Sequence, residues 1–345
     1  MDSKSVKELK SICRELNIHG YSKLRKKELV ELITTTLNEP NSTNLIETLQ
    51  KKKNINYTKP LLKWIGGKTN IINKIIDKFP TKINNYYEPF IGGGSVLFAL
   101  LDCIKNKKIK LTGKIYACDL NEPLIFFYKN VQNHPDELYT SVQRLVDKYN
   151  NKKTNSKKEK YYYHIRNKYN KMNDEEKKSI LGSSIFLFLN KVGFRGLYRM
   201  SKDGNFNVPF GHYKNITENI LNYDHLIYVS KLIENVHFRA YDFEEINFKQ
   251  LQNDFVYFDP PYVNTYKSYT SNGFDKHKKL FKLCATLPKF LLSNSDDKLV
   301  YEYIDKYMKS KKKHNQKIKT DKFKSRRAIS PNPATCMGEL LIYNY

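Results

Sequence analysis

Val256-Tyr257-Phe258-Asp259-Pro260-Pro261-Tyr262 is the stretch on which the reading of this chain turns. Its first three residues are apolar and strand-forming, and the run then stops at Asp-Pro-Pro-Tyr. A strand cannot continue through two prolines, because each lacks the backbone N–H that a ladder needs and fixes φ. The chain is therefore expected to leave the sheet here, at the carboxyl edge where open α/β sheets bind their ligands. What arrives at that edge is a carboxylate from Asp259, the Pro260 carbonyl with no competing N–H after it, and the Tyr262 ring. Two acceptors in line and an aromatic face suit a planar base that carries an amino group. A simple Asp-Pro-Pro turn ahead of a surface tyrosine is the plainer alternative, and the neighbouring stretches must choose between them.

Tyr86-Tyr87-Glu88-Pro89-Phe90-Ile91-Gly92-Gly93-Gly94-Ser95-Val96-Leu97-Phe98 reads as a strand, a glycine turn and an apolar helix. Glycines allow a tight turn and close backbone approach by a ligand, and the helix N-terminus offers unpaired N–H groups to a carboxylate or phosphate. The spacing fits neither G-x-G-x-x-G nor the P-loop. Ile115-Tyr116-Ala117-Cys118-Asp119-Leu120-Asn121 reads as a second strand ending in an acid. In nucleotide-type folds an acid at that edge accepts hydrogen bonds from ribose hydroxyls. Asp119 also stands where it could cap a helix opening at Glu122-Pro123, and the two roles can coexist. Ahead of both lies Leu61-Leu62-Lys63-Trp64-Ile65-Gly66-Gly67-Lys68, which contains the chain's single Trp.

At 345 residues the chain can hold one large domain and a small appendage. Lys and Arg number 61 against 35 Asp and Glu, a formal net charge of +26, which favours a polyanionic partner, nucleic acid first. Part of that excess follows from a Lys-, Asn-, Ile- and Tyr-rich composition of the kind AT-rich coding DNA yields. The five cysteines form no CxxC pair and have no His at ligand spacing, so neither a disulfide framework nor a zinc site is expected. No signal peptide and no membrane-length apolar run is evident, so an intracellular, cytoplasmic protein, or one in the DNA-containing compartment of a host cell, is expected.

Residues 1–37 read as two short helices. Val6, Leu9, Ile12, Cys13 and Leu16 recur at helical spacing, and Leu29, Leu32 and Ile33 do so after the break at Gly20-Tyr21-Ser22. With Lys23, Arg25, Lys26 and Lys27 opening the second helix, this stretch resembles a SAP-type, or the related Rho-N-type, nucleic-acid-binding module. Residues 38–58 are polar and read as a linker, with a helical turn at Leu45 to Leu49. The Lys-rich stretches 151–160 and 306–327 read as solvated faces or loops.

With Leu-Lys-Trp-x-Gly-Gly-Lys, Glu-Pro-Phe-x-Gly-x-Gly-Ser, Asp-x-Asn and Asp-Pro-Pro-Tyr in this order, the chain resembles the Dam family (D12 class) of DNA adenine N6-methyltransferases from about residue 59 to its end. Two further segments agree: residues 188–213, which look like the family's recognition hairpin, and Arg326-Arg327-Ala328-Ile329-Ser330 followed by Glu339-Leu340-Leu341, which is similar to its last strands. The resemblance implies an α/β, Rossmann-like S-adenosylmethionine-dependent methyltransferase sheet over 59–124 and 223–345. A helical target-recognition insert would occupy 125–222, and the small N-terminal helical module would precede them. The implied substrate is double-stranded DNA and the implied cofactor S-adenosyl-L-methionine, with no metal, no membrane, and a restriction enzyme as a candidate counterpart.

Carried over position by position, the resemblance makes Asp259, Pro260, Pro261 and Tyr262 the catalytic set. Asp259 and the Pro260 carbonyl would hold the amino group, and Tyr262 would stack on the extruded base. Trp64, Lys68, Glu88, Pro89, Phe90, Gly92, Gly94, Ser95, Asp119 and Asp259 would surround the cofactor. Lys63 and Arg199 match guanine-reading positions, Leu197 and Pro209 apolar contacts to a thymine methyl, and Phe194 a wedge beside the flipped base. Asn207 completes the DNA-facing set, with Arg195 and His212. These agreements favour GATC. Arg195 departs from the family, which often has Asn there, and His212 stands where Arg is common. The alternatives are a cytosine N4 or RNA adenine methyltransferase, or a catalytically silent DNA-binding protein on the same scaffold. An intact Asp-Pro-Pro-Tyr together with an intact glycine turn argues against the silent protein.

Overall fold

In a computed structural model the chain is described over residues 5–15, 18, 20–37, 55–212, 220–247, 254–263, 274–309, 317–326 and 336–345. It divides into two compact units, Met1–Asn56 and Tyr57–Tyr345. The expected helical turn at Leu45 to Leu49 lies outside the described residues, as do Arg327 to Ser330 and Tyr213.

The first unit holds the helices Val6–Glu15 and Lys26–Leu37, with a 3-10 turn at Tyr21–Lys23 between them. Leu9 and Cys13 on one helix meet Leu29 and Ile33 on the other, and all four are fully buried. Ser5 and Glu8 close the first helix reciprocally: Ser5 N–H donates to Glu8 Oε2 at 2.7 Å, and Glu8 N–H to Ser5 Oγ at 3.3 Å. Gly20 sits at φ 83, a left-handed conformation that suits glycine at the break between the helices. Val6, expected on the apolar face, is instead 40% exposed at the first residue of its helix.

The second unit is built on a seven-stranded sheet. Its strands are β2 (Tyr86–Glu88), β4 (Ile115–Asp119), β5 (Val236–Ala240), β6 (Phe255–Phe258), β7 (Phe290–Ser295), β8 (Lys319–Arg326) and β9 (Cys336–Tyr343), while β1 (Lys82–Ile83) and β3 (Lys110–Leu111) pair separately. The order across the sheet is β5-β4-β2-β6-β7-β9-β8. Pairings from β5 to β7 are parallel, and β9 runs antiparallel to both β7 and β8. Every residue of β6 and β7 is buried, as parallel strands covered on both faces require. This is the mostly parallel α/β sheet expected from the sequence, with β9 alone reversed. β6 ends at Phe258, and Pro260 and Pro261 follow just past its last paired residue.

Helices lie against the sheet and extend away from it. Ser95–Lys105 follows the glycine turn, buried from Val96 to Cys103. Glu122–Asn133 stacks its Tyr128 ring on Phe238 of β5, with centroids 5.3 Å apart. Asn121 caps this helix, accepting the Leu124 N–H at 3.1 Å. The capping role open to Asp119 therefore belongs to Asn121, which leaves Asp119 at the strand end. Pro135–Asn150, Asn155–Lys171, Asp174–Lys178 and Ile180–Val192 then form a helical layer, each start marked by proline or by an Asn, Ser or Thr cap. No helix among the described residues is long and apolar enough to cross a membrane.

Candidate active site

The strand order reverses direction at the centre of the sheet. From β2 the chain adds β4 and β5 on one side, then crosses to place β6 on the other. Such a switch point leaves a crevice at the carboxyl ends of its two strands. Here those ends carry Glu88 on β2 and Asp259 just past β6, with Asp119 ending β4 beside them. Three acids on adjacent strand ends repel one another and lose water, so each needs a compensating partner.

Asp259 finds its partner in Lys68. The Lys68 ammonium lies 2.7 Å from Asp259 Oδ1, donates to the Gly66 carbonyl at 2.6 Å, and sits 4.8 Å from the centre of the Tyr262 ring. Lys68 is 4% exposed, so the pair is nearly desolvated and strongly directional. The Lys68 N–H also donates to Ser95 Oγ at 3.1 Å, which ties this segment to the helix after the glycine turn. Tyr262 is buried, and its hydroxyl donates to Glu339 Oε2 at 2.7 Å. Pro260 is buried and Pro261 half-buried alongside it.

Glu88 accepts the Tyr86 hydroxyl at 2.7 Å and a hydrogen bond from the Leu97 backbone. Burial pushes its pKa up to about 8, and the nearby Asp259 charge adds to the rise. Asp119 accepts the Gly92 N–H at 3.1 Å through Oδ2 and the Asn121 N–H at 2.9 Å through Oδ1. Burial pushes it up to about 6 against those backbone bonds. Burial thus biases both carboxyls toward their neutral forms against the hydrogen bonds that favour the charged ones.

Trp64 covers the glycine turn. A Cβ on Gly92 would come within 2.8 Å of the indole, and one on Gly93 within 2.9 Å of the Trp64 Cβ. The close approach that these two glycines permit is thus made by Trp64, where the sequence suggested a ligand. The indole also stacks on Tyr198 at 5.6 Å. Gly94, at φ 74, precedes the helix and has the Tyr128 hydroxyl 2.9 Å from where a Cβ would stand. Pro89 is buried, and Phe90 packs with Phe243 and Phe274 at 5.6 and 5.7 Å.

The DNA-reading candidates gather on a hairpin after Ile180–Val192. Residues 188–192, expected within the hairpin, are the last residues of this helix, which is buried on all sides from Gly182 to Asn190. The hairpin proper begins at Gly193, which bridges Phe210, and Met200 bridges Phe206. Phe194 is 41% exposed, and its N–H donates to the Pro209 carbonyl at 2.9 Å. Leu197 is half-buried and Pro209 exposed. Arg199 donates from Nε to Asn207 Oδ1 at 2.6 Å and from Nη2 to the Asn207 carbonyl at 3.1 Å, so these two residues face each other across the hairpin. Arg195 adopts φ 55, ψ 13, a left-handed conformation that Asn tolerates better than a long side chain. His212 also has positive φ, at 47, and lies 3.7 Å from Glu159.

Asn190 joins Lys63 to this hairpin, a role the sequence reading missed. Its Oδ1 accepts the Lys63 N–H at 2.9 Å, while its Nδ2 donates to the Lys63 and Gly196 carbonyls at 2.7 and 3.2 Å. Gly196, at φ 66, would drive a Cβ to 2.4 Å from that of Lys63. Lys63 thus presents an exposed side chain at the hairpin while Trp64, the next residue, faces the glycine turn. A lone Asn in the apolar run Phe-Leu-Phe-Leu-Asn-Lys-Val was the available signal. Two more residues were passed over. Lys191 has its pKa pushed down to about 8 by burial and by Lys63. Asp242, after β5, accepts the Glu244 N–H at 3.0 Å and pairs with Lys276 at 2.6 Å.

Comparison with known proteins bears on both units. Residues 2–41 match the Rho termination factor, N-terminal domain, which is the Rho-N alternative and not the SAP type. Residues 64–320 match the D12 class N6 adenine-specific DNA methyltransferase family. Among curated relatives, the Type II methyltransferase M.MjaIII of Methanocaldococcus jannaschii is 39% identical over 69% of this chain and 84% of its own length. The Type II methyltransferase M.CviBI of Paramecium bursaria Chlorella virus NC1A is 31% identical over 64% of this chain and 76% of its own length. The DNA adenine methylase of Escherichia coli K12 is 29% identical over 79% of this chain and 90% of its own length. The chain therefore belongs to the D12 class of N6 adenine-specific DNA methyltransferases, enzymes that take their methyl group from S-adenosyl-L-methionine.

Proposed function

We propose that this DNA adenine methyltransferase acts by direct transfer on an adenine flipped out of duplex DNA, within the sequence GATC. The observation that carries this reading is Asp259 at the sheet's switch point, backed by Lys68 and followed by two prolines. Adenine's exocyclic nitrogen is a poor nucleophile because its lone pair is delocalised into the ring. Asp259 and the Pro260 carbonyl accept its two hydrogens, which holds the nitrogen with its lone pair free for an electrophile. Tyr262 offers its ring to the extruded base. Catalysis comes from orientation and from acceptors fixed before the substrate arrives.

S-adenosyl-L-methionine, when bound, supplies the electrophilic methyl on a sulfonium. The residues at this edge fit that group. Glu88 is a buried carboxyl that burial keeps protonated and that a cationic partner would ionise, and Asp119 offers carboxylate oxygens for ribose hydroxyls. Trp64, Lys68, Pro89, Phe90, Gly92, Gly94 and Ser95 form the surrounding wall.

On the DNA side, Lys63 and Arg199 read guanines, Leu197 and Pro209 meet a thymine methyl, and Phe194 enters the stack. Asn207 holds the Arg199 guanidinium, and Arg195 and His212 lie toward the phosphates. In a methylation assay on duplexes that differ from GATC at one base pair, Arg199→Ala is expected to lose about 1–3 kcal/mol of discrimination at one guanine. Discrimination equal to that of the parent enzyme would sink the assignment.

The catalytic domain takes in 59–124 and 223–345, and the target-recognition domain 125–222, with 38–58 as linker. Residues 1–37 serve as a nucleic-acid-binding module. Deleting residues 1–50 is expected to lower DNA affinity mainly in its salt-dependent part and to spare turnover. Binding isotherms with the same salt slope for both forms would refute a role in binding. The enzyme works inside the cell, where DNA is, and a restriction enzyme cutting the same site is its counterpart.

A further inference from the structure

β9 follows the segment matched by the family, which ends at residue 320. This reversed strand nevertheless reaches the Asp-Pro-Pro-Tyr segment. Tyr262 donates its hydroxyl to Glu339 Oε2 at 2.7 Å, with both residues buried. Glu339 stands opposite Ser295 of β7 in the antiparallel register. Ser295 Oγ donates to the Val263 carbonyl at 3.0 Å, and Asn294 Oδ1 accepts the Val263 N–H at 3.1 Å. The ring and the backbone just past the two prolines are thus gripped from neighbouring positions on β7 and β9.

We propose that Glu339 is a positioning residue for methyl transfer: by accepting the Tyr262 hydroxyl it fixes the position of the ring on which the target adenine stacks. The proposal rests on the stacking role given to Tyr262 above. A tyrosine ring can swing about its first side-chain torsion unless its far end is anchored, and a carboxylate is a strong anchor for a phenol. The ring also borders the Lys68 ammonium, 4.8 Å from its centre, and Lys68 in turn holds Asp259. A ring that rocks therefore disturbs the acceptor that holds the amino group. Small misplacements of this kind lower the rate of a reaction that depends on alignment. The loss therefore falls chiefly on kcat, with only a smaller effect on cofactor affinity through Lys68 and Asp259.

The test uses the full chain and a GATC duplex with 2-aminopurine at the target adenine for the binding readout. Glu339→Leu is expected to lower kcat on the order of 10–100-fold, the range of a lost hydrogen bond to a charged acceptor. Cofactor affinity by calorimetry changes far less than kcat, and 2-aminopurine lifetimes shift toward those of an unstacked base. Glu339→Gln, which can still accept the hydroxyl, recovers most of the rate. Tyr262→Phe, which keeps the ring and drops the anchor, reproduces the loss, and the double variant loses no more than either single one. Losses that add in the double variant would mean that Glu339 acts by another route, and would overturn the proposal. Parent-like kcat in Tyr262→Phe would overturn it even where Glu339→Leu fails to fold. Tyr262→Ala separates the two layers of the argument. If it is inactive while Tyr262→Phe and Glu339→Leu are normal, only the role of Glu339 falls. If it is active, the stacking role falls as well.

Discussion

Asp259→Asn is expected to reduce methyl transfer by on the order of a thousandfold or more while DNA affinity stays within about threefold of the parent. Removal of a single preorganised hydrogen-bonding group at a reacting centre commonly costs about 10²–10³ in rate. Asn keeps the size of the side chain, but one of its two terminal atoms becomes an NH2 that meets the amino group donor to donor. It also removes the negative charge on which Lys68 rests, 2.7 Å away. Asp259→Ala abolishes transfer too, and it also removes the oxygen that the Asn side chain still offers to the Lys68 ammonium. Lys68 is 4% exposed and would be left as a nearly buried cation with its carboxylate gone. Breaking a buried pair from one side destabilises by roughly 3–5 kcal/mol, less here because Lys68 keeps the Gly66 carbonyl. The Ala variant is therefore expected to melt well below the Asn variant, and removing the charge of Lys68 in the same chain, as Lys68→Met, should recover part of that difference. Melting curves and single-turnover methylation on one DNA duplex measure both effects. An Asn variant that methylates at the parent rate would remove Asp259 from the chemistry.

Glu88→Gln is expected to make the cofactor-free protein more stable at pH 8 and to cripple cofactor binding. The sign follows from the direction of the shift. Glu88 sits at about 8 in the folded chain, against the ordinary value of 4.5 that it regains on unfolding. Between those values the folded state keeps a proton that the unfolded state has released, so the contribution of Glu88 to stability falls as pH rises through that window. Above about 8 it is constant, at a cost on the order of a few kcal/mol at most. Gln carries no such charge, so its stability lacks this slope. Asp119, pushed up to about 6 from 3.8, contributes a like slope only below pH 6, and His277, pushed down by burial to about 4 from 6.5, contributes one of opposite sign that fades by about 6.5; neither residue is changed in the variant, so the difference between the two curves from 6 to 8 belongs to Glu88. A cation brought to Glu88 ionises it. Parent affinity for S-adenosyl-L-methionine should therefore rise between pH 6 and 8 more steeply than that of the variant, with proton release visible by calorimetry in buffers of different ionisation enthalpy. Parallel stability curves for parent and variant across that interval would show that Glu88 is already ionised in the free protein.

Backbone breaks were legible in the sequence, and side-chain partnerships were not. The end of β6 could be read because Pro260 and Pro261 cannot stay in a ladder, and the turn after β2 because three glycines precede an apolar helix. Those two breaks, with the acid ending β4, locate the switch point. The reversal of β9 left no trace in its own composition, since an apolar strand at the sheet's inner side looks alike in either direction. The sequence grouped Lys68 with the cofactor wall, and nothing in its local pattern announced that its ammonium would sit on Asp259. Such pairs are set by how distant strand ends converge. The hairpin's start was placed five residues early, because the stretch that resembles the family's hairpin opens on Phe188 to Val192, the last residues of a helix. Asn190 was a local signal of another kind, an amide in a buried helix face, whose partners are the backbone of Lys63 and Gly196. Arg195 shows the limit from the other side: the family departure was visible, but its consequence, a left-handed backbone under a long side chain, is set by the hairpin's folded conformation.

One measurement reaches the centre of the account. Purified full-length protein and S-adenosyl-L-methionine are incubated with a duplex library of random sequence, and the modified bases are identified and mapped by sequencing. N6-methyladenine is expected, confined to the adenine of GATC on both strands. N4-methylcytosine, methylation of adenine without regard to the flanking guanines, or an unmodified library would contradict it.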